Sequence, residues 1–227
     1  MRTHLVASLW NKGMSMSEQK NPSPPSQPSG PWHPGEQILQ HRLGVAERME
    51  SQGRKVIRNF MPDQHRLFYA QLPFIVVGAV DASGTPWATL IEGEPGFVSS
   101  PNPTTLRIAA QPGTGDPVGS ALATSNSVGM LGIELHTRRR NRANGTVTRL
   151  DSQGFEVTVQ HAFGNCPQYI QTRTASFVRR PGSKVDAEVE RASTLDDAAR
   201  EMIAAADTFF IASYVDVGSE SVRREVD

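Results

Sequence analysis

FIVVGAVDASGTPWATLIEG, residues 74–93, is the stretch on which the fold turns. Its first part, FIVVGAVD at 74–81, is apolar and rich in β-branched residues. Ala82-Ser83-Gly84 has turn chemistry, and TPWATLIEG at 85–93 is extended in character again. Two such runs across a short Gly-containing turn read as a β-hairpin. The period upstream is different. From Glu36 to Phe60 the apolar Ile38, Leu39, Val45, Met49, Val56 and Ile57 recur at helical spacing with charges between them. Gly44 and Gly53 weaken one long helix, so two short ones are expected. Pro62-Asp63 opens a third, DQHRLFYAQL, which ends at Pro73.

Downstream the extended pattern continues. GFVSS at 96–100 and TTLRIAA at 104–110 prolong the meander. A Gly/Pro/Asp loop and a short helical piece, PVGSALA, precede SVGMLGIELH at 127–136. NRANGTVTRLD and GFEVTVQHAF follow, joined at Asp151-Ser152-Gln153-Gly154. Short strands with turns every 8–12 residues or so define an antiparallel barrel or sandwich.

The two ends have their own character. Residues 1–35 hold NPSPPSQPSGPWHPG, a Pro/Ser tract too poor in apolar surface to offset chain entropy. It is expected to be a disordered tail, with Trp32 pinning its end to the body. TLDDAAREMIAAA at 194–206 is a helix with Thr194 as its N-cap and acids in the first turn. FFIASYVD at 209–216 then matches FIVVGAVD at three of eight positions and in apolar pattern throughout. The match reads as the start of a second copy of one unit, and chance likeness between two strands accounts for it equally well.

Composition removes several function classes. The 227 residues carry 23 Lys+Arg against 23 Asp+Glu, and a neutral chain lacks the basic surface of a non-specific nucleic-acid binder. A single cysteine, Cys166, excludes an internal disulfide framework and a cysteine-rich zinc site. No run approaches about 18 consecutive apolar residues, so no membrane span is expected. MRTHLVASLW has too short an apolar run for a secretory signal. The expected location is the cytoplasm.

Three segments carry a resemblance: WHPGEQILQHRLGVAERM, LGIELHTRRRNRANG and FGNCPQYIQTR. Together with the strand order they resemble a bacterial subgroup of the pyridoxamine 5'-phosphate oxidase-related, FMN-binding split barrels, over roughly residues 31–220. The resemblance implies a mainly β protein with flanking helices, a six-stranded antiparallel split β-barrel. It implies a homodimer with FMN in the cleft between subunits, and a flavin-dependent oxidoreductase acting on a small-molecule substrate or electron donor. A non-enzymatic flavin-binding module, or a degenerate barrel serving dimerisation, is the alternative. The resulting division is a tail over 1–35, a split-barrel FMN-binding domain over 36–193, and the helix and first strand of an incomplete second repeat over 194–227. In the subgroup, the stretch resembling SYVDVGSESVRREVD leads into further strands, so the resemblance implies a truncated second half.

The resemblance also nominates residues. Trp87, Ala88, Thr89 and Leu90 stand on the strand that the family lays along the flavin, and an ordinary hairpin strand with Trp87 in the core is the competing reading. The family's arginine and lysine on that strand are missing here, where Glu92-Gly93 stands at its end. Ser99 and Ser100 fall where family members place hydroxyls on the FMN phosphate, and Ser-Ser-Pro-Asn-Pro is equally a plain turn. Arg138, Arg139, Arg140 and Arg142 take four of the five positions 138–142. On a strand Arg138, Arg140 and Arg142 would share one face and Arg139 would take the other. Guanidinium forks suit a phosphate, a solvated charged strand is the competing reading, and the first three are nominated for the cofactor.

Cys166 with His161 five residues upstream is a thin basis for a catalytic thiol, and no metal-ligand spacing is present. A strand-to-helix corner is expected instead. Asn165 caps it, Cys166 packs inward, and Tyr169 and Ile170 face the barrel. In the resembling subgroup this corner lies by the cofactor, which nominates Asn165, Gln168 and Tyr169. No residue is nominated as catalytic.

Overall fold

The computed structural model describes residues 31–181, 183, 190–216 and 224–226; most of the expected tail lies outside them. The chain enters through helix α1 (Pro34–Arg42), whose N-cap His33 accepts from Gly35 and Glu36 while Glu36 returns a bond to the His33 N–H. Gly44 turns the chain with φ +66° into α2 (Ala46–Val56). Trp32 does pin the entry: its indole donates to the Met49 carbonyl at 3.2 Å and lies on buried Gly53, where a Cβ would sit 2.7 Å from the ring. Helix α3 (Asp63–Ala70) then buries Phe68 and Tyr69 completely.

The hairpin predicted at 74–93 forms as β1 (Phe74–Val80) and β2 (Pro86–Glu92), in register from Phe74–Glu92 to Val80–Pro86. β3 (Val98–Asn102), β4 (Thr105–Ile108), helix α4 (Pro117–Thr124), β5 (Ser127–Glu134), β6 (Arg139–Asp151) and β7 (Gly154–Gly164) complete the body. The sheet has the order β2-β1-β5-β6-β7-β4-β3 with every neighbour antiparallel. It is mainly β with flanking helices and does not close, since β2 and β3 are its two edges. That is a split-barrel sheet, with seven strands, one for each extended segment of the sequence, where the resemblance implied six.

Alternation decides which side is the core. Ile75, Val77 and Ala79 of β1, Val128 and Met130 of β5, Ala143 of β6 and Phe155, Val157 and Val159 of β7 point inward to one buried cluster. α3 closes it with Phe68 and Tyr69, the turn after it with Leu72, and α4 with Val118, Ala121 and Leu122. Gly132 on β5 lets α3 approach, because a Cβ there would lie 2.8 Å from Leu72 Cδ1 and Tyr69 Cε1.

The C-terminal part differs in detail from the expectation. The helix, α5 (Asp197–Ala205), is capped by Asp196, whose carboxylate accepts from Ala199, and not by Thr194. FFIASYVD is not one continuous strand: only β8 (Tyr214–Asp216) is, paired with β9 (Arg224–Val226). Phe210, Ala212 and Tyr214 are half-buried, while Phe209 and Ile211 remain 73% exposed. Ala212 and the buried Val226 rest on the outer face of β1 at Gly78, and the Tyr214 hydroxyl donates to the Gly84 carbonyl at 2.9 Å.

Candidate functional site

The structure gathers cations at one corner of the sheet. Tyr69 anchors it: the buried hydroxyl donates to the Asn141 carbonyl at 3.1 Å, tying α3 to the first residues of β6. Arg139 thereby lies over the Phe68 ring, 4.9 Å from its centre, a cation–π contact. Arg58, in the link between α2 and α3, is bridged to Ala162 at the end of β7 through two backbone hydrogen bonds of 3.1 and 2.7 Å. Arg66 reaches from α3 to β3, donating to the Ser100 hydroxyl at 3.1 Å and carbonyl at 2.9 Å, with Asp63 at 2.9 Å on its other side.

Between these stands His65. Burial first, then the Arg58 and Arg139 guanidiniums, push its pKa below the usual imidazole range. Its Nδ1 is buried without a hydrogen-bond partner. Two further atoms share that condition among the described residues, Arg140 Nε and Asn165 Oδ1. They lie on adjoining segments, since the Asn165 N–H donates to the Arg140 carbonyl at 3.2 Å and Arg140 donates to the Cys166 carbonyl at 3.0 Å. Among the described residues no carboxylate pairs with Arg58, Arg139 or Arg140. Buried polar atoms are nearly always satisfied, so His65 Nδ1 near Arg58 and Arg139, and Arg140 Nε and Asn165 Oδ1 on their own adjoining segments, are each open to a further partner.

The nominated residues divide. Arg139 and Arg140 enter β6 and point to opposite faces, as alternation required, so the corner has two sides. Arg138 is not on the strand; it sits in the preceding turn with φ +61°. Ser100 belongs to the corner through Arg66, while Ser99 stands opposite Arg107 on β4. On β2, Thr89 is buried and donates to Asp116, the N-cap of α4. Trp87 packs on the core and donates its indole N–H to Asp81 at 2.7 Å, so hairpin structure accounts for both side chains. Ala88 and Leu90 take the outer face, and Leu90 is 45% exposed.

The FGNCPQYIQTR corner requires correction. No helix follows Pro167: the chain passes through a turn into irregular structure. Cys166 is exposed and not packed inward. Tyr169 is 96% exposed with φ +67° and faces solvent, while Ile170 is half-buried. Gln168 is exposed. Of the three residues nominated here, only Asn165 has a buried atom without a partner. Among the described residues no group of three His, Cys, Asp or Glu could hold a metal. No helix among them is long and apolar enough to cross a membrane.

Sequence reasoning missed Arg58, His65 and Arg66. The two basic residues in PDQHR, on the first turn of α3, were the available signal, and their partners lie 34 or more positions away.

Comparison with known proteins places this architecture. The family profile for pyridoxamine 5'-phosphate oxidase matches residues 61–184, which spans the sheet and the corner apart from Arg58. The chain belongs to the pyridoxamine 5'-phosphate oxidase family, whose fold is that of a flavin-binding type of module. It is similar in structure to HupZ of Group A Streptococcus, with 10% identity over 50% of this chain and 99% of that one, at a TM-score of 0.38. It is likewise similar to a pyridoxamine 5'-phosphate oxidase-like protein of Lactobacillus delbrueckii, with 14% identity over 47% and 95% of the two chains and a TM-score of 0.37. No curated protein matches the chain.

Proposed function

We propose that the chain is an FMN-binding flavoprotein that works as an oxidoreductase. The observation that carries the reading is the set of unpaired guanidiniums beside orphaned polar atoms in a chain of this family. The donor set fits the cofactor. Arg58, Arg139 and His65 would hold the phosphate, as charge-assisted donors do best. Arg140 Nε and Asn165 Oδ1, one donor and one acceptor, would meet the polar edge of the ring system. Trp87 and Thr89 are removed from the proposed contacts because their polar atoms are already engaged. When bound, the flavin supplies hydride transfer between a small substrate and a second acceptor. The protein's residues supply binding, orientation and exclusion of water.

Absorbance of the purified chain mixed with FMN, followed by fluorescence titration, tests this. Arg139→Ala or Arg140→Ala should weaken binding by about 1.5–3 kcal/mol, the cost of a charge-assisted contact. Arg149→Ala should leave it unchanged, because Arg149 is spent on Asp151 at 2.7 Å and Glu156 at 3.7 Å. Equal, negligible effects at all three would refute the site. Reduction of the bound flavin by a nicotinamide cofactor separates an oxidoreductase from a flavin-binding module.

The chain is further proposed to act in the cytoplasm as a homodimer, with 36–193 as the cofactor domain and 194–227 as the start of a second repeat. Phe209, Ile211 and Val178 are exposed apolar side chains, and their burial against a second copy supports association. Light scattering that shows a monomer at micromolar concentration would refute the dimer.

A further inference from the structure

We infer that Arg58, Arg139 and His65 form a proton-coupled anion site, which takes a phosphate monoester or another tetrahedral anion and protonates His65 as it does so. The inference deepens the flavin reading by naming the end of the ligand that the corner receives, and rests on it for the identity of the natural ligand.

The charges that act on His65 are both guanidiniums. Arg58 comes from the α2–α3 link and Arg139 from β6, and both act on the imidazole electrostatically. On its own helix Arg66 is spent on Ser100 and on Asp63, whose side chain is 86% exposed and turned to water. β3 contributes the uncharged Ser100. An imidazole with a buried, unpartnered Nδ1, next to two guanidiniums without carboxylates, stands in a field that rejects a third positive charge. A bound dianion reverses that field. It neutralises the guanidiniums and offers an oxygen acceptor to an imidazolium N–H, so the charged form of His65 becomes the favoured one. Binding then takes up one proton from solvent at His65, and no bond to the ligand is made or broken.

Linkage fixes the sign. His65 of the free protein titrates below the usual imidazole value, and with anion bound it titrates higher. Between those two values affinity must fall as pH rises, by up to about tenfold per pH unit. Above the higher value it levels off. Inorganic sulfate is the suitable probe, because its own charge stays constant through the range where an imidazole titrates.

The experiment is calorimetric titration of the full chain with sulfate from about pH 5.5 to about pH 8, in buffers of different ionisation enthalpy. Wild type should bind more weakly as pH rises and take up close to one proton at the steepest point. His65→Gln should bind with no such slope, and Arg139→Ala should lose most of the affinity. An NMR titration of the His65 imidazole in the wild type, with and without sulfate, reads the same shift with no variant at all. A slope that persists in His65→Gln, a wild type that binds sulfate equally at every pH, or no sulfate binding would each overturn the inference. Proton-coupled sulfate binding in a chain that takes no FMN would uphold this inference and refute the flavin reading alone.

Discussion

Asp81 is the perturbation whose consequence can be worked out most fully. It follows β1, and one carboxylate oxygen accepts from the Ser83 N–H at 2.8 Å, the Ser83 hydroxyl at 2.6 Å and the Thr85 N–H at 3.0 Å. The other accepts the Trp87 indole N–H at 2.7 Å. Partial burial works against the charged form, but the bonds from Ser83, Trp87 and Thr85 outweigh it and hold the carboxyl at about 2. Against an ordinary value of 3.8 this is worth at most about 2 kcal/mol, and solvent at the half-exposed turn reduces it to about 1. Because the folded pKa is the depressed one, this stability is complete above about pH 4 and is lost as pH falls toward 2. Asp81→Ala should therefore lower unfolding stability by about 1–2 kcal/mol at neutral pH. The loss relative to wild type should shrink on acidification. Urea unfolding followed by tryptophan fluorescence measures it at several pH values, and Trp87 reports locally. An Asp81→Ala chain within a few tenths of a kcal/mol of wild type at neutral pH would refute the reasoning and return Trp87 to the list of free aromatic walls for a cofactor.

Tyr69→Phe removes the bond to the Asn141 carbonyl and leaves that acceptor buried, so it should cost about 1–3 kcal/mol in urea unfolding. Gly132→Ala places a methyl 2.8 Å from Leu72 and Tyr69, and should cost about 1–3 kcal/mol while also weakening anion binding, since it displaces the helix that carries His65. Gly53→Ala should loosen the entry segment, read as Trp32 fluorescence moving to longer wavelength, because its Cβ occupies the place of the indole. Cys166→Ser should leave stability and flavin affinity within about 0.5 kcal/mol, as an exposed surface change does; loss of turnover with the fold intact would revive a thiol mechanism.

The local pattern of the chain determined its elements. A period of two across 74–93 and 127–163, broken by Gly-containing turns, specifies antiparallel strands wherever one face must be buried, and they are where the pattern put them. Helical spacing with Gly44 and Pro62 as breaks likewise specified α1, α2 and α3, whereas Gly53, also expected to weaken the helix, lies buried inside α2. The corner after β7 holds no helix, because a proline following a possible cap is compatible with a helix yet does not require one. FFIASYVD fell short of a full strand because a strand needs a partner, and that partner is a tertiary matter. The site was less legible still. The arginine run announced itself, but its meaning depends on Arg58 meeting Ala162, Arg66 meeting Ser100 and Arg139 lying over Phe68. Those contacts join positions 34 to 104 residues apart, and no local periodicity encodes them. They follow from the docking of α3 on Gly132 and from the sheet order, which bring four separate segments to one place. Only there do burial and neighbouring charge act on His65, because an electrostatic field depends on distance through space and not along the chain.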